Sequence, residues 1–496
     1  MRGKIQKIIN KTVQIIGSKY FFWGIIGLFV LQAMWIALSF RYPMLFDEHY
    51  HFGLIEYFSH QWLPWINNQS TNLDVYGALG RNPYLLYHYL MSFPFRIVAL
   101  FTNNLAMQVI SMRLINIGLF AGGLTVFAHL FKAMKIQPVF RNTALLFFVL
   151  LPVVPLIAAT INYDNAIFLI TALFMLTGLK IMLNSTVQWR QYAWFLMIGM
   201  AGALMKSAFV PILVGGIIFI TIWSFKTNRR EIFNRLLKSF RASNKWFGVF
   251  VIFLLMLTSF LFIERFGVNV IKYHNLSPSC MSQMSKDRCL ANPIEVRNAD
   301  FARKKAGIPL QLLQYSTTWI HNIIYTLSYT GSSTTTVVGS VTARPLPVIY
   351  MVVFVGAIVS FVVFFYGFRI LNRLPGFWLS IVIMSVYLIA LYYINASAYY
   401  KYYVAAGIQG RYLLPVLLGV MMFALLGVNS AMQKKRLLKV SVFVVVFALS
   451  LNGAGVITHI VRSNDSWIWD NQTVRQMNDD ARDWLSPYVQ KWWYDK

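Results

Sequence analysis

The feature that most constrains this chain is a series of uninterrupted apolar runs, several of them 18 to 22 residues long. At 1.5 Å per residue, a helix of that length crosses a hydrocarbon core of roughly 30 Å. In lipid every backbone N–H and C=O must find a partner within the protein, so helices are the economical way for such runs to cross. Composition agrees: 58% of the residues are hydrophobic and only 12% are charged. The sequence therefore predicts an all-α polytopic membrane protein.

Eleven spans are predicted: Tyr20–Phe40, Leu105–Phe131, Thr143–Ala159, Ala166–Leu183, Tyr192–Met205, Ala208–Phe225, Trp246–Ile263, Pro347–Phe368, Phe377–Ala396, Tyr412–Val428 and Val440–Ile460. The formal net charge is +28. Its basic residues sit in short clusters between apolar runs, without an aromatic-rich soluble domain, which argues against a nucleic-acid partner and for topology signals. With the basic N-terminal stretch in the cytoplasm, the inside segments hold 23 of the 44 Lys and Arg and one acid, Glu231. The opposite side holds the other basic residues over much longer loops, together with the remaining acids. The first run reads as a retained span, since a cleaved signal peptide has a shorter core and a small-residue cleavage site. Eleven crossings place the C-terminus outside. Residues 82–101 contain Pro83, Pro94, His88 and Arg96 and read as an interface helix.

Three outer parts are large: loop 41–104, loop 264–346 and tail 461–496. Together with the spans, residues 1–460 form one predicted module, and 461–496 form an amphipathic tail whose Trp467, Trp469, Trp484, Trp492 and Trp493 suit the membrane interface. Cys280 and Cys289 are the only cysteines. On an oxidising face they are placed for a disulfide. With His274 they fall short of a zinc set.

Chemistry-bearing residues gather in the same outer parts. The stretch "FDEHYHF" puts Asp47, Glu48, His49 and His51 just beyond the first span. A helix over Asp47–Gln61 would set Phe52, Ile55 and Phe58 on one side and carry both carboxylates at its N-terminus. Asp47 is then either a helix cap or part of a site. "RNPYLLYHY" supplies Arg81, Tyr84, Tyr87 and His88 on a second surface helix opened by Pro83. Asp164, in "INYDNAIF", is either an N-cap or a site residue, and Lys206 either reaches for lipid headgroups or serves a ligand. "GIQGRYLLP" brings Gly407 and Gly410, which allow close backbone approach, together with Arg411 and Tyr412 at the depth of a lipid phosphate. A base for a hydroxyl and cations for a phosphate leaving group are what sugar transfer from a lipid phosphate requires.

This pattern resembles the GT-C superfamily of polyprenyl-phosphate-sugar-dependent glycosyltransferases, and in particular a bacterial branch. The resemblance lies in the acidic pair after span one, in "RNPYLLYHYL", in "INYDNAIF" and in "GIQGRYLLP". It departs from the family at Phe46, where proline often precedes the acidic pair, and at Arg81-Asn82, where relatives often have His-Pro. The resemblance implies a GT-C-like bundle of about 11 transmembrane helices in the cell membrane, with the site on the extracytoplasmic side. It maps the catalytic acid onto Asp47, with Glu48 as its neighbour, and the late arginine onto Arg411. The expected reaction is an inverting transfer from a polyprenyl-phosphate sugar to a hydroxyl of a glycan, lipid or protein acceptor. Asp47 would be the general base and Glu48 would orient the acceptor. Arg411, with Lys206 or Arg81, would hold the phosphate, beside Tyr84, His88, Asp164 and Tyr412. A divalent metal is a further expectation, held by His49 or His51 with a carboxylate. The alternatives are a glycan polymerase or ligase using diphosphate-linked donors, a transporter, or a non-catalytic scaffold.

Overall fold

A computed structural model describes residues 2–66, 69–228, 231–241, 245–304, 309–329, 345–405, 407–433, 435–463 and 465–490. The expected Trp492 and Trp493 lie outside the described residues. Among those described, the chain is helical apart from turns and one isolated antiparallel bridge, Phe40 with Ile468.

Among the described residues, eight helices are long and apolar enough to cross a membrane: Lys19–Ser39, Leu105–Ala133, Tyr163–Leu183, Ser207–Thr227, Trp246–Tyr273, Pro347–Leu371, Phe377–Tyr402 and Gly410–Ala431. Several begin at polar caps. Ser18 accepts from Phe21 N–H at 3.1 Å and Asn104 from Met107 N–H at 3.2 Å. The protein is thus an all-α polytopic membrane protein.

The other three expected crossings are present in shorter pieces. Trp189–Met205 is 17 residues long. The run 143–159 divides into Pro138–Val149 and Val153–Ala158 at Leu150–Pro152, and the run 440–460 into Arg436–Ser450 and Val456–Arg462. The two interruptions satisfy each other: Gly455 N–H donates to Leu150 O at 2.7 Å, and His459 Nε2 lies 2.8 Å from Pro152 O. Val456 N–H donates to Gln32 Oε1 at 3.0 Å. Gly455 has φ +54°, and a Cβ there would lie 1.5 Å from Gln32 Oε1. Irregular backbone is tolerated at this depth because neighbouring helices supply the partners.

The first loop builds a small core of its own. Its helix runs over Glu48–Ser59, burying Phe52 and Ile55 against the main bundle and Leu54 and Phe58 against Ile66, Leu73, Leu79 and Leu85. It is therefore packed on two sides rather than laid on lipid by one apolar face. The second helix of the loop is Leu86–Phe101, 16 residues and absent from the eight long spans. It starts three residues later than Pro83 predicts, so Arg81 and Tyr84 lie in the preceding turn. Arg96, on this helix, donates to Phe58 O at 3.0 Å and closes the pair of helices.

The two large loops are clasped together. Arg288 grips the Asp74 carboxylate with Nε and Nη2, each at 2.7 Å, and Arg81 Nη1 meets Glu264 Oε1 at 2.7 Å. The expected Cys280–Cys289 disulfide is present, with 5.7 Å between the Cα atoms.

Candidate functional site

Four chain segments meet at the loop end of the bundle: the turn after Lys19–Ser39, the starts of Tyr163–Leu183 and Ser207–Thr227, and the start of Gly410–Ala431. Each delivers one charged group, so the site is assembled from residues up to 364 positions apart (411 minus 47).

Asp47 stands at the N-cap position of its helix but makes no capping hydrogen bond. Phe46 and Asp47 are both left-handed, with φ of 65° and 60°. Aspartate tolerates that region, whereas phenylalanine is held there at a cost of roughly 1–3 kcal/mol. The consecutive turns direct the Asp47 carboxylate outward, where it remains 58% exposed, with Oδ2 3.8 Å from Arg411 Nη2. The reading of Asp47 as a helix cap is therefore set aside.

Arg411 is the opposite case, a guanidinium only 6% exposed. Its Nη2 donates to the Tyr412 hydroxyl at 3.4 Å, while Nε and Nη1 have no hydrogen-bond partner among the described residues. Asp164 Oδ2 is 4.0 Å from Nη1, and the Phe46 ring lies beneath the guanidinium at 4.4 Å. A buried charged donor without an acceptor is costly. Nε–H and Nη1–H point in different directions, so they offer two separate donors to anionic oxygens.

Lys206 is buried and turned inward, which corrects the reading that it reaches for lipid headgroups. Its ammonium pairs with Asp164 and lies between the rings of Tyr163 at 4.5 Å and Tyr412 at 4.8 Å. Asp164 is not the cap of its helix. Asn162 caps it, accepting from Asp164 N–H at 2.9 Å, and so frees the Asp164 carboxylate for Lys206.

Glu48 has a different fate from Asp47. It is fully buried, and its oxygens accept Arg113 Nε at 2.8 Å and Arg113 Nη2 at 2.7 Å. They also accept Met44 N–H at 2.7 Å and Ile161 N–H at 3.2 Å. With its acceptor capacity used inside the protein, Glu48 does not orient an acceptor or hold a metal; it fixes the turn that carries Asp47. Arg81 is likewise engaged, by Glu264 and by Asn269 Oδ1 at 2.9 Å, and belongs to the loop clasp rather than to a phosphate site.

His49 is exposed and His51 is buried, because positions i and i+2 point to different sides of a helix. Among the described residues no cluster of three His, Cys, Asp or Glu could hold a metal ion. His51 instead stacks on His88, with ring centroids 5.2 Å apart and His51 Nδ1 2.9 Å from His88 Nε2. Asn162 sets the tautomers. Its Oδ1 accepts from Asp164 N–H, and its Nδ2 donates to Phe46 O at 2.8 Å and to His51 Nε2 at 3.2 Å. His51 then carries its proton on Nδ1 and donates it to His88, whose own proton sits on Nδ1. Burial, followed by the nearby His88, Arg411, Lys206 and His49, pushes the His51 imidazole well below its usual range, and burial brings His88 to about 3. Both are neutral wedges beneath the Asp47 turn.

The Tyr84 hydroxyl lies near the side chains of Ser277 and Ser207, the latter next to Lys206 in sequence. Gly410 serves packing rather than ligand approach: a Cβ there would lie 2.6 Å from Ile323 O. Sequence reasoning missed Arg113, Asn162, Tyr163 and Phe46 as parts of the site. The one signal for Arg113 was a lone arginine inside an apolar run.

Fold and site together define a polytopic membrane protein with a buried, unsatisfied arginine facing an exposed aspartate at one end of its bundle. Residues 57–420 match the model of the family described as "Predicted membrane protein (DUF2142)", and the chain belongs to that family. The match takes in Arg113, Asp164, Lys206 and Arg411 and begins after Asp47 and Glu48. No curated protein and no solved structure gave a significant match.

Proposed function

We propose that this protein is a membrane glycosyltransferase of the GT-C type, moving a sugar from a polyprenyl-phosphate donor to an acceptor hydroxyl. The observation that carries the reading is the Arg411 guanidinium, buried with two unpartnered donor nitrogens and 3.8 Å from the exposed Asp47 carboxylate. The acceptor oxygen bonds to the anomeric carbon as the bond from that carbon to the phosphate oxygen breaks. The acceptor proton passes to Asp47, and the phosphate leaves with the electron pair against Arg411. One displacement inverts the anomeric centre. Lys206 adds positive field from behind its Asp164 partner.

The small number of open cationic donors supports a monophosphate over a diphosphate donor. Of the two site cations, Lys206 is held by Asp164, and only Arg411 offers open donors to a phosphate group. The dense basic residues of the opposite loops support an extracytoplasmic site in a bacterial inner membrane, consistent with a role in cell-envelope glycans.

Purified protein in nanodiscs, given polyprenyl-phosphate sugars and candidate acceptors, tests this. Wild-type transfer that disappears in Asp47→Asn and Arg411→Ala is the expected result. Transfer undiminished in Asp47→Asn removes Asp47 as base, and absence of donor binding by the wild type removes the reading.

A further inference from the structure

The C-terminal tail, whose composition suits the membrane interface, has its first part in the interior. Arg41 N–H donates to Trp467 O at 2.7 Å and Trp469 N–H to Ser39 O at 3.0 Å, so residues 39–41 and 467–469 form a short antiparallel ladder around Phe40 and Ile468. Four residues before Ser39 and nine after Trp469, the link continues through side chains: Trp35 Nε1 donates to Asn478 Oδ1 at 3.1 Å.

This ladder leads directly to the Asp47 turn. Phe40 O, at its centre, accepts Arg113 Nη1 at 2.6 Å, and the Trp469 ring lies 5.9 Å from the Arg113 guanidinium. The same guanidinium grips Glu48, the neighbour of Asp47. A single planar cation thus joins the end of the first span, the tail and the carboxylate that fixes the turn. Such a fork has discrete donor directions, so moving one partner displaces the others.

We infer that residues 467–469 of the tail are positioning residues for Asp47, acting through Phe40, Arg113 and Glu48, so that the site is completed by the C-terminal end of the chain. This rests on the proposed function for its catalytic consequence only; the mechanical coupling stands on the contacts themselves.

Full-length variants test the coupling. Trp469→Pro deletes the N–H that reaches Ser39, Trp469→Ala removes the ring beside Arg113, and Trp469→Phe keeps an aromatic face. Hydrogen exchange read by mass spectrometry follows the Met44 and His51 amides, which donate to Glu48 and to Asp47 O. Trp469→Pro is expected to speed their exchange by about tenfold or more, with the Leu105–Ala133 helix unchanged. With a donor in hand, kcat falls on the order of 10²-fold while donor KM stays within about twofold, and Trp469→Phe stays near wild type. If Trp469→Pro fails to fold, Asn478→Ala is the milder lesion, and the same amides decide. Unchanged exchange at Met44 and His51, while the Arg41 amide is released, overturns the inference. Faster exchange in a protein that transfers nothing leaves the coupling standing and sinks the glycosyltransferase reading instead.

Discussion

Arg113 holds Glu48 through two hydrogen bonds, 2.8 and 2.7 Å long, with both side chains fully buried. The arginine sits on the Leu105–Ala133 helix, the glutamate in the first loop, and the remaining guanidinium hydrogens reach Ala37 O at 3.0 Å and Phe40 O. Neighbouring acids have thereby divided their labour: Glu48 is spent on structure and Asp47 is left free.

Removing one partner strands a buried charge, which costs about 3–5 kcal/mol. Arg113→Ala and Glu48→Ala are therefore each expected to lower thermal stability sharply, whereas Glu48→Gln/Arg113→Met loses less than the sum of the two. A fluorescence thermal melt of the detergent-solubilised variants checks this. A mild effect of Arg113→Ala would mean that water reaches the pair.

Arg411 predicts the reverse pattern. Its unpartnered Nε and Nη1 carry a desolvation penalty on the order of 1–3 kcal/mol. Arg411→Met is expected to raise Tm slightly while lowering the proposed sugar transfer by about 10²–10³-fold. Arg411→Lys, which keeps the charge and loses the fork, falls between the two in activity. A drop of several degrees on Arg411→Met would assign the residue to the fold instead.

The Cys280–Cys289 link closes a short loop next to the Arg288–Asp74 clasp. In the chain-entropy account a loop of this length contributes about 2–3 kcal/mol. Cys280→Ser/Cys289→Ser, or reduction, should expose the segment 276–292 to limited proteolysis first, leaving the long spans protected. Equal proteolysis of both forms would show that the clasp suffices alone.

The parts of this architecture legible in the sequence are those set by local pattern. Apolar run length marked the spans, and two cysteines nine positions apart on one loop marked the disulfide. Asp47, Asp164, Lys206 and Arg411 were also singled out, since charges at span ends are costly in lipid. Their arrangement was not legible, because it depends on partners far apart in sequence. Glu48 and Asp47 look alike as neighbours, and only Arg113, 65 positions later, separates them. Arg81 looked like a phosphate ligand until Glu264 engaged it, 183 positions away. The breaks at Pro152 and at Gly453–Gly455 were visible as residues, but hydropathy averaging runs straight across them.

The stacked histidines give a pH dependence whose sign is fixed by burial. His51 and His88 lie below the usual imidazole range in the folded protein, so the unfolded chain binds protons that the native state refuses. Their contribution is fully present above about pH 6.5 and is lost as pH falls toward the folded value, which for His88 is about 3. Each buried neutral histidine costs about 1.4 kcal/mol per pH unit below the unfolded value. Between pH 6 and 5 surface carboxylates stay ionised, so the slope there reports the imidazoles. A proton on His51 faces Arg411 and Lys206, which opposes its uptake there. His88→Gln removes one of the pair, and the loss of Tm across that interval should be smaller than that of the wild type. A wild-type Tm that is flat from pH 6 to 5 would mean that water or an anion reaches the pair and lets it ionise.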